Sequence, residues 1–129
     1  MVSFNKIKKE SLLAYRSGVG MWAFVLHRIT GLALIFYLLT HIIVISTSVK
    51  GPNAFNQLLA ILTTPLFVVL DLGLLAAILF HGLNGVRIIL FDIGVGIRQQ
   101  KAIFWVLMAI AAVIWFVTLY VTLPHILRK

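Results

Sequence analysis

Three long apolar runs separated by short polar stretches organise the chain. The first extends from Met21 to Ser46, the second from Pro65 to Phe91 and the third from Ile103 to Leu123. Each matches or exceeds the roughly 20 residues a helix needs to cross a hydrocarbon core about 30 Å thick. The pattern predicts three membrane-spanning helices, over 21–46, 65–91 and 103–123. Between the first two, Lys50 to Thr64 reads as a loop opened by the turn signal Gly51-Pro52-Asn53. Within that loop, Phe55 to Leu62 reads as a short amphipathic piece on the outer surface. Pro65 suits the first turn of the second helix, where a missing N–H costs little. Asp92 to Gln100 is a polar, glycine-containing loop, and Pro124 is expected to end the third helix.

Composition narrows the class. Hydrophobic residues make up 62% of the 129 residues and charged residues 11%, against about a quarter charged in a soluble domain. A water-soluble globule is excluded, and so is disorder, which needs a polar, charge-rich chain. Cysteine is absent, which excludes a disulfide scaffold, a cysteine zinc site, a protein-held iron–sulfur cluster and a Cys-x-x-Cys-His haem attachment. What remains is an all-α membrane protein, read as a single helical membrane domain over residues 1–129. No internal repeat is visible, and no soluble catalytic domain fits in the polar remainder.

The net charge of +8 is distributed as topology rather than as a nucleic-acid surface. Lys6, Lys8, Lys9 and Arg16 precede the first span, and Arg87, Arg98 and Lys101 lie around the second loop. Lys50, Arg128 and Lys129 lie on the other side of the zigzag. Cationic residues beside spans are retained in the cytoplasm, so the N-terminus is expected inside and the C-terminus outside, in a multi-pass protein of the cell (inner) membrane. Contact with anionic lipid headgroups is a second use of the same charge; no nucleic-acid partner is expected. The basic lead is not read as a secretory signal. The apolar stretch after it is too long for one and contains His27, Arg28 and His41. Trp22 and Trp105 fall at cytoplasmic helix ends and Tyr120 near the outer end, as interfacial aromatics do.

Inside a bilayer the informative side chains are the ones that are expensive to keep there. They are His27, Arg28, His41, Asp71, His81, Asn84 and Arg87. His27 and His41 lie near one face of the first helix, about 21 Å apart along its axis. Gly31 leaves room on that face for something flat to approach the backbone. On the second helix His81 lies about 9 Å from Arg87 at the cytoplasmic edge, with Gly82 and Gly85 nearby. A neutral imidazole beside glycines is what a buried porphyrin requires: a nitrogen for iron and no side chain where the ring edge passes. Arg28 and Arg87, at the cytoplasmic level, are candidates to pair with haem propionates. His41 lies in the outer half of the bilayer, so it and His81 cannot be the two axial ligands of one haem. If both ligate, they serve two haems, each completed by another chain; the other use of His41 is a bond to a neighbouring helix. Asn84 reads as interhelical hydrogen-bonding glue, and Asp71 as facing a helix partner or water.

Two segments carry a resemblance. His27-Arg28-Ile29-Thr30-Gly31 and His81-Gly82-Leu83-Asn84-Gly85-Val86-Arg87, the latter continuing to Phe91-Asp92-Ile93-Gly94, are similar to the two motifs of the cytochrome b membrane anchor of succinate dehydrogenase (succinate:quinone oxidoreductase). Length, number of spans and orientation agree, so the resemblance covers nearly the whole chain. The chain departs from the family pattern at Phe24, where a serine is usual, at Ile88, and in lacking an Arg-Pro start before the first span.

The resemblance implies half of a heterodimeric haem-binding helix bundle. In it His81 is an axial ligand of haem b, the other ligand coming from a second membrane anchor subunit. His27 and Arg28 stand at the haem propionates and at a ubiquinone or menaquinone pocket, with Arg87 and Asp92 on the same cytoplasmic rim. His41 is similar to the additional ligand of the two-haem anchors, so one or two haems are implied. The chain would carry electrons between an iron–sulfur subunit, fed by a flavoprotein subunit, and quinone, with no catalytic group for succinate of its own. The alternative from another class is a small membrane transporter or channel, with Asp71 or His81 in an ion path.

Overall fold

The structure, a computed structural model, describes residues 18–127. The basic lead with Lys6, Lys8, Lys9 and Arg16, and the terminal Arg128 and Lys129, lie outside the described residues. Four helices follow in order: α1 (Val19–Ser46), α2 (Pro52–Leu62), α3 (Pro65–Asp92) and α4 (Gln100–Leu127), with short 3₁₀ turns at Thr47–Lys50 and Ile97–Gln99. Among the described residues there is no strand. α1, α3 and α4 each have 28 residues, or about 42 Å at 1.5 Å per residue. That exceeds the hydrocarbon thickness, so each crosses it with a turn or more to spare. All three are long and apolar enough to span a membrane.

Local chemistry sets where the helices stop. α1 passes through the 3₁₀ turn and ends at Gly51, whose φ of 101° suits glycine alone. Pro52 and Pro65 then occupy the first turns of α2 and α3, where a proline N–H would have had no partner. The short amphipathic piece is thus a helix of 11 residues. α3 ends in a Schellman motif. The Val95 N–H donates to the Leu90 carbonyl at 2.8 Å and the Gly94 N–H to Phe91 at 2.9 Å, with Gly94 at φ 82° as the motif requires.

Pro124 does not end α4, contrary to the expectation from sequence; the helix continues to Leu127. A proline in a last turn removes only the bond to the carbonyl four residues back, here Tyr120. Close to the membrane surface that carbonyl can turn to water.

α3 is the central helix, packed against α1 on one side and α4 on the other. Among the described residues the buried set is Ala23, Leu72, Asn84 and Arg87, and each belongs to an interhelical lock. The Trp115 indole N–H donates to the Leu72 carbonyl at 2.8 Å, tying α4 to α3. The Asn84 amide donates to the Ala23 carbonyl at 3.5 Å, tying α3 to α1. The alanine lets the backbones come close, and the amide bridges them. The large apolar side chains point outward instead, among them Ile35, Phe36, Leu39 and Ile42 on α1 and Val113, Phe116 and Val117 on α4. In lipid this arrangement carries no hydrophobic penalty, and the helices are held by packing and hydrogen bonds. Hydroxyls on the spans are satisfied by their own helix: Thr40 donates to Tyr37, Ser46 to Ile43 and Thr118 to Ile114.

Candidate functional site

The polar residues predicted to carry chemistry separate into three places. The first is between α1 and α3, where the imidazoles of His27 and His81 stack with centroids 3.9 Å apart and planes 7° from parallel. His27 is one turn past Ala23 on α1. His81 is one turn before Asn84 on α3, and Asn84 bonds that same alanine. The antiparallel crossing therefore brings the two rings to one level.

The edge of the His81 ring is fixed by α1. Its Nδ1 lies 3.1 Å from the His27 main-chain carbonyl oxygen and 3.2 Å from Thr30 Oγ1. A carbonyl oxygen only accepts, so Nδ1 carries the proton. The Thr30 hydroxyl directs its own proton back to the Leu26 carbonyl at 2.8 Å, which leaves Oγ1 free to accept from the imidazole. Assigned from this network, His81 is the Nδ1–H tautomer and Nε2 holds the lone pair. Nε2 makes no hydrogen bond among the described residues. Behind the ring stands Gly31. A Cβ there would lie 3.1 Å from His81 Cε1, tighter than ordinary contact. What Gly31 admits against the α1 backbone is thus the imidazole of α3. Gly85, by contrast, would place a Cβ 3.8 Å from His27 Cε1, and Gly82 faces open space.

The second place is the buried guanidinium of Arg87. It is 6% exposed, donates to Asn84 Oδ1 at 3.3 Å, and lies over the Phe91 ring at 4.9 Å and the Phe104 ring at 5.5 Å. It joins α3 to α4 and, through Asn84, to α1. Arg28 is exposed on α1 with its guanidinium 4.7 Å over the Phe24 ring. Asp92 is exposed at the end of α3. Two buried polar side-chain atoms have no hydrogen-bond partner among the described residues, His27 Nδ1 and Arg87 Nε.

The third place is further along α1, where His41 is exposed and its Nδ1 lies 3.4 Å from the Tyr37 hydroxyl. The structure puts His27, not His41, beside His81, as the separation in depth anticipates. Asp71 is exposed near the start of α3. Among the described residues no three His, Asp or Glu side chains gather as a metal cage.

Sequence reading passed over Thr30, Phe104, Tyr37 and the Trp115 lock. Thr30 had a usable signal, since it lies three residues after His27 and so shares its helix face. Phe104 had none, because only the packing of α4 on α3 brings it over Arg87.

The chain is also similar to known proteins over most of its length. A family model described as succinate dehydrogenase/fumarate reductase transmembrane subunit matches residues 3–123. The chain is 44% identical over 96 residues to a succinate dehydrogenase hydrophobic membrane anchor subunit of Halobacterium salinarum, covering 74% of each chain. It is 39% identical over 94 residues to succinate dehydrogenase 2 membrane subunit SdhC of Mycobacterium tuberculosis, covering 72% of this chain and 69% of the other. A hydrophobic membrane anchor subunit of succinate dehydrogenase from Archaeoglobus fulgidus is 31% identical over 81 residues, covering 63% of this chain and 69% of the other.

Proposed function

The chain belongs to the succinate dehydrogenase/fumarate reductase transmembrane subunit family, and from that premise we propose that it binds haem b through His81 and carries electrons from an iron–sulfur subunit to quinone. It is a multi-pass membrane anchor, a subunit of the enzyme complex with no part in the chemistry of succinate itself.

The observation that carries the reading is the state of the His81 ring. Its Nδ1 proton is held by α1 and its Nε2 lone pair is uncommitted, the form in which imidazole binds iron. The donor set also fits the rest of a haem. His27 Nδ1 and Arg87 Nε are buried without partners, and both are suited to an anionic group. When bound, haem b supplies a one-electron carrier inside the membrane. The chain's own part is to hold the ligand, exclude water by its apolar walls, and supply positive charge at the cytoplasmic edge. A second anchor subunit would supply the iron's remaining protein ligand. Arg28 and His27, with Asp92 on the same rim, form this chain's share of a quinone pocket, Arg28 donating to a quinone carbonyl. The exposed basic pair of Arg98, in the connection between α3 and α4, and Lys101, in the first turn of α4, faces the iron–sulfur subunit, to which the flavoprotein subunit attaches; positive charge there steers an acidic partner surface.

His41 favours a second haem at the outer level. Its Nδ1 is engaged by Tyr37, and its ring is exposed toward lipid or a partner subunit. Counting haem per copy of the complex tests this: two supports it, one removes it. The main reading is tested by His81→Ala in the assembled complex. Loss of the reduced-minus-oxidised b-type absorbance at retained flavin content supports the ligand assignment, and an unchanged spectrum overturns it.

A further inference from the structure

The His81 ring is held from α1 by a side chain as well as by the main chain. We infer that Thr30 is the positioning residue of the haem ligand, its hydroxyl oxygen fixing the rotation of the His81 ring and keeping the proton on Nδ1. The inference rests on His81 as the ligand, but it concerns how α1 controls a ligand that α3 presents.

Three contacts define the device. The Thr30 hydroxyl is anchored on its own helix, donating to Leu26 at 2.8 Å and lying 3.1 Å from the His27 carbonyl oxygen. With its proton committed there, Oγ1 can only accept, and the group in reach is His81 Nδ1 at 3.2 Å. The His27 carbonyl is the second acceptor on the same nitrogen, at 3.1 Å. Two acceptors on one side set the ring azimuth, and the Gly31 backbone limits its depth. A hydroxyl accepting from Nδ1–H adds electron density to the imidazole and makes Nε2 a stronger donor to iron. That favours the ferric state, so Thr30 lowers the haem reduction potential. The carbonyl is main chain and survives any substitution; the hydroxyl is the part the sequence can vary.

The test uses the whole assembled complex. Thr30→Val has the same shape without the acceptor, and Thr30→Ser restores it. Thr30→Val is expected to retain low-spin haem while its reduction potential rises and its largest EPR g value moves; Thr30→Ser returns both to the parent values. Identical potential and g values in parent and Thr30→Val overturn the inference, as does a shift that Thr30→Ser fails to reverse. If Thr30→Val does not assemble, Thr30→Ala decides: a raised reduction potential supports the inference, and the parent value overturns it. Failure of the ligand reading is separate, because it appears as an unchanged haem spectrum in His81→Ala whatever Thr30→Val does.

Discussion

His27 on α1 and His81 on α3 stack face to face, 3.9 Å between centroids and 7° from parallel, although they stand 54 positions apart in sequence. The pair is the point at which the first and second spans read each other. It unites one histidine of each motif, and it makes the main chain at His27 an acceptor for the ring of His81.

Removing the His27 ring takes away the stack and the Nδ1 offered to the haem's anionic group, while the hydrogen bonds to His81 Nδ1 remain. His27→Ala keeps the main-chain carbonyl and Thr30, so His81 retains its proton and haem is expected to stay bound. The lost ring contact is worth about 0.5–1.5 kcal/mol. The measurement is the midpoint of thermal haem release from the complex. It should fall in His27→Ala while the haem content of the freshly purified complex matches the parent.

The two glycines at the stack predict opposite sensitivities. Gly31→Ala sets a Cβ 3.1 Å from His81 Cε1, whereas Gly85→Ala sets one 3.8 Å from His27 Cε1. The first must displace the ligand ring by a few tenths of an ångström; the second makes ordinary contact. Haem absorbance per flavin should drop in Gly31→Ala and remain at parent level in Gly85→Ala. Equal loss in both would contradict this geometry.

Arg87 is expected to be a stability residue as well as a charge. Its guanidinium lies over the Phe91 and Phe104 rings and is bonded to Asn84. Truncation to alanine leaves Asn84 Oδ1 without that donor and opens a void among three helices, a loss of about 2–4 kcal/mol. Arg87→Lys should recover little of it, because an ammonium lacks the planar face and the fork of donors of a guanidinium. Yield of assembled complex and its thermal midpoint report the effect; full yield from both variants would show that the buried guanidinium is dispensable.

The Trp115 lock should behave differently. Trp115→Phe keeps most of the ring but removes the bond to the Leu72 carbonyl, a loss of about 1 kcal/mol. Leu72 lies about 13 Å along α3 from His81, so the haem spectrum and potential are expected to be unchanged while the thermal midpoint falls slightly. A changed spectrum would mean that α4 influences the site through α3.

Much of the architecture is written one-dimensionally. Apolar runs of more than 20 residues have few stable forms in lipid other than the helix, and Pro52, Pro65 and Gly94 stop or start the chain by fixed backbone chemistry. The two histidine motifs, and with them the family, were legible for the same reason: they are local strings. Pro124 misled because it stands in the last turn, where the carbonyl it orphans lies near the membrane surface and the helix has only three residues left to run.

What the string left open is how the helices rotate against one another. Spacing along α1 relates His27 to His41 and spacing along α3 relates His81 to Arg87, but neither contains the crossing of α1 on α3. That crossing, set by Ala23 against Asn84, decided that the His27 ring stacks on His81 and that Gly31 admits an imidazole. It also decided that Thr30 reaches Nδ1. The packing of α4 against α3 then enclosed Arg87 beneath Phe104 and left Arg28 outside. Sequence determines which groups are present and at what depth, because rise per residue is constant; tertiary structure determines which of them touch, because azimuth between helices depends on side chains from both.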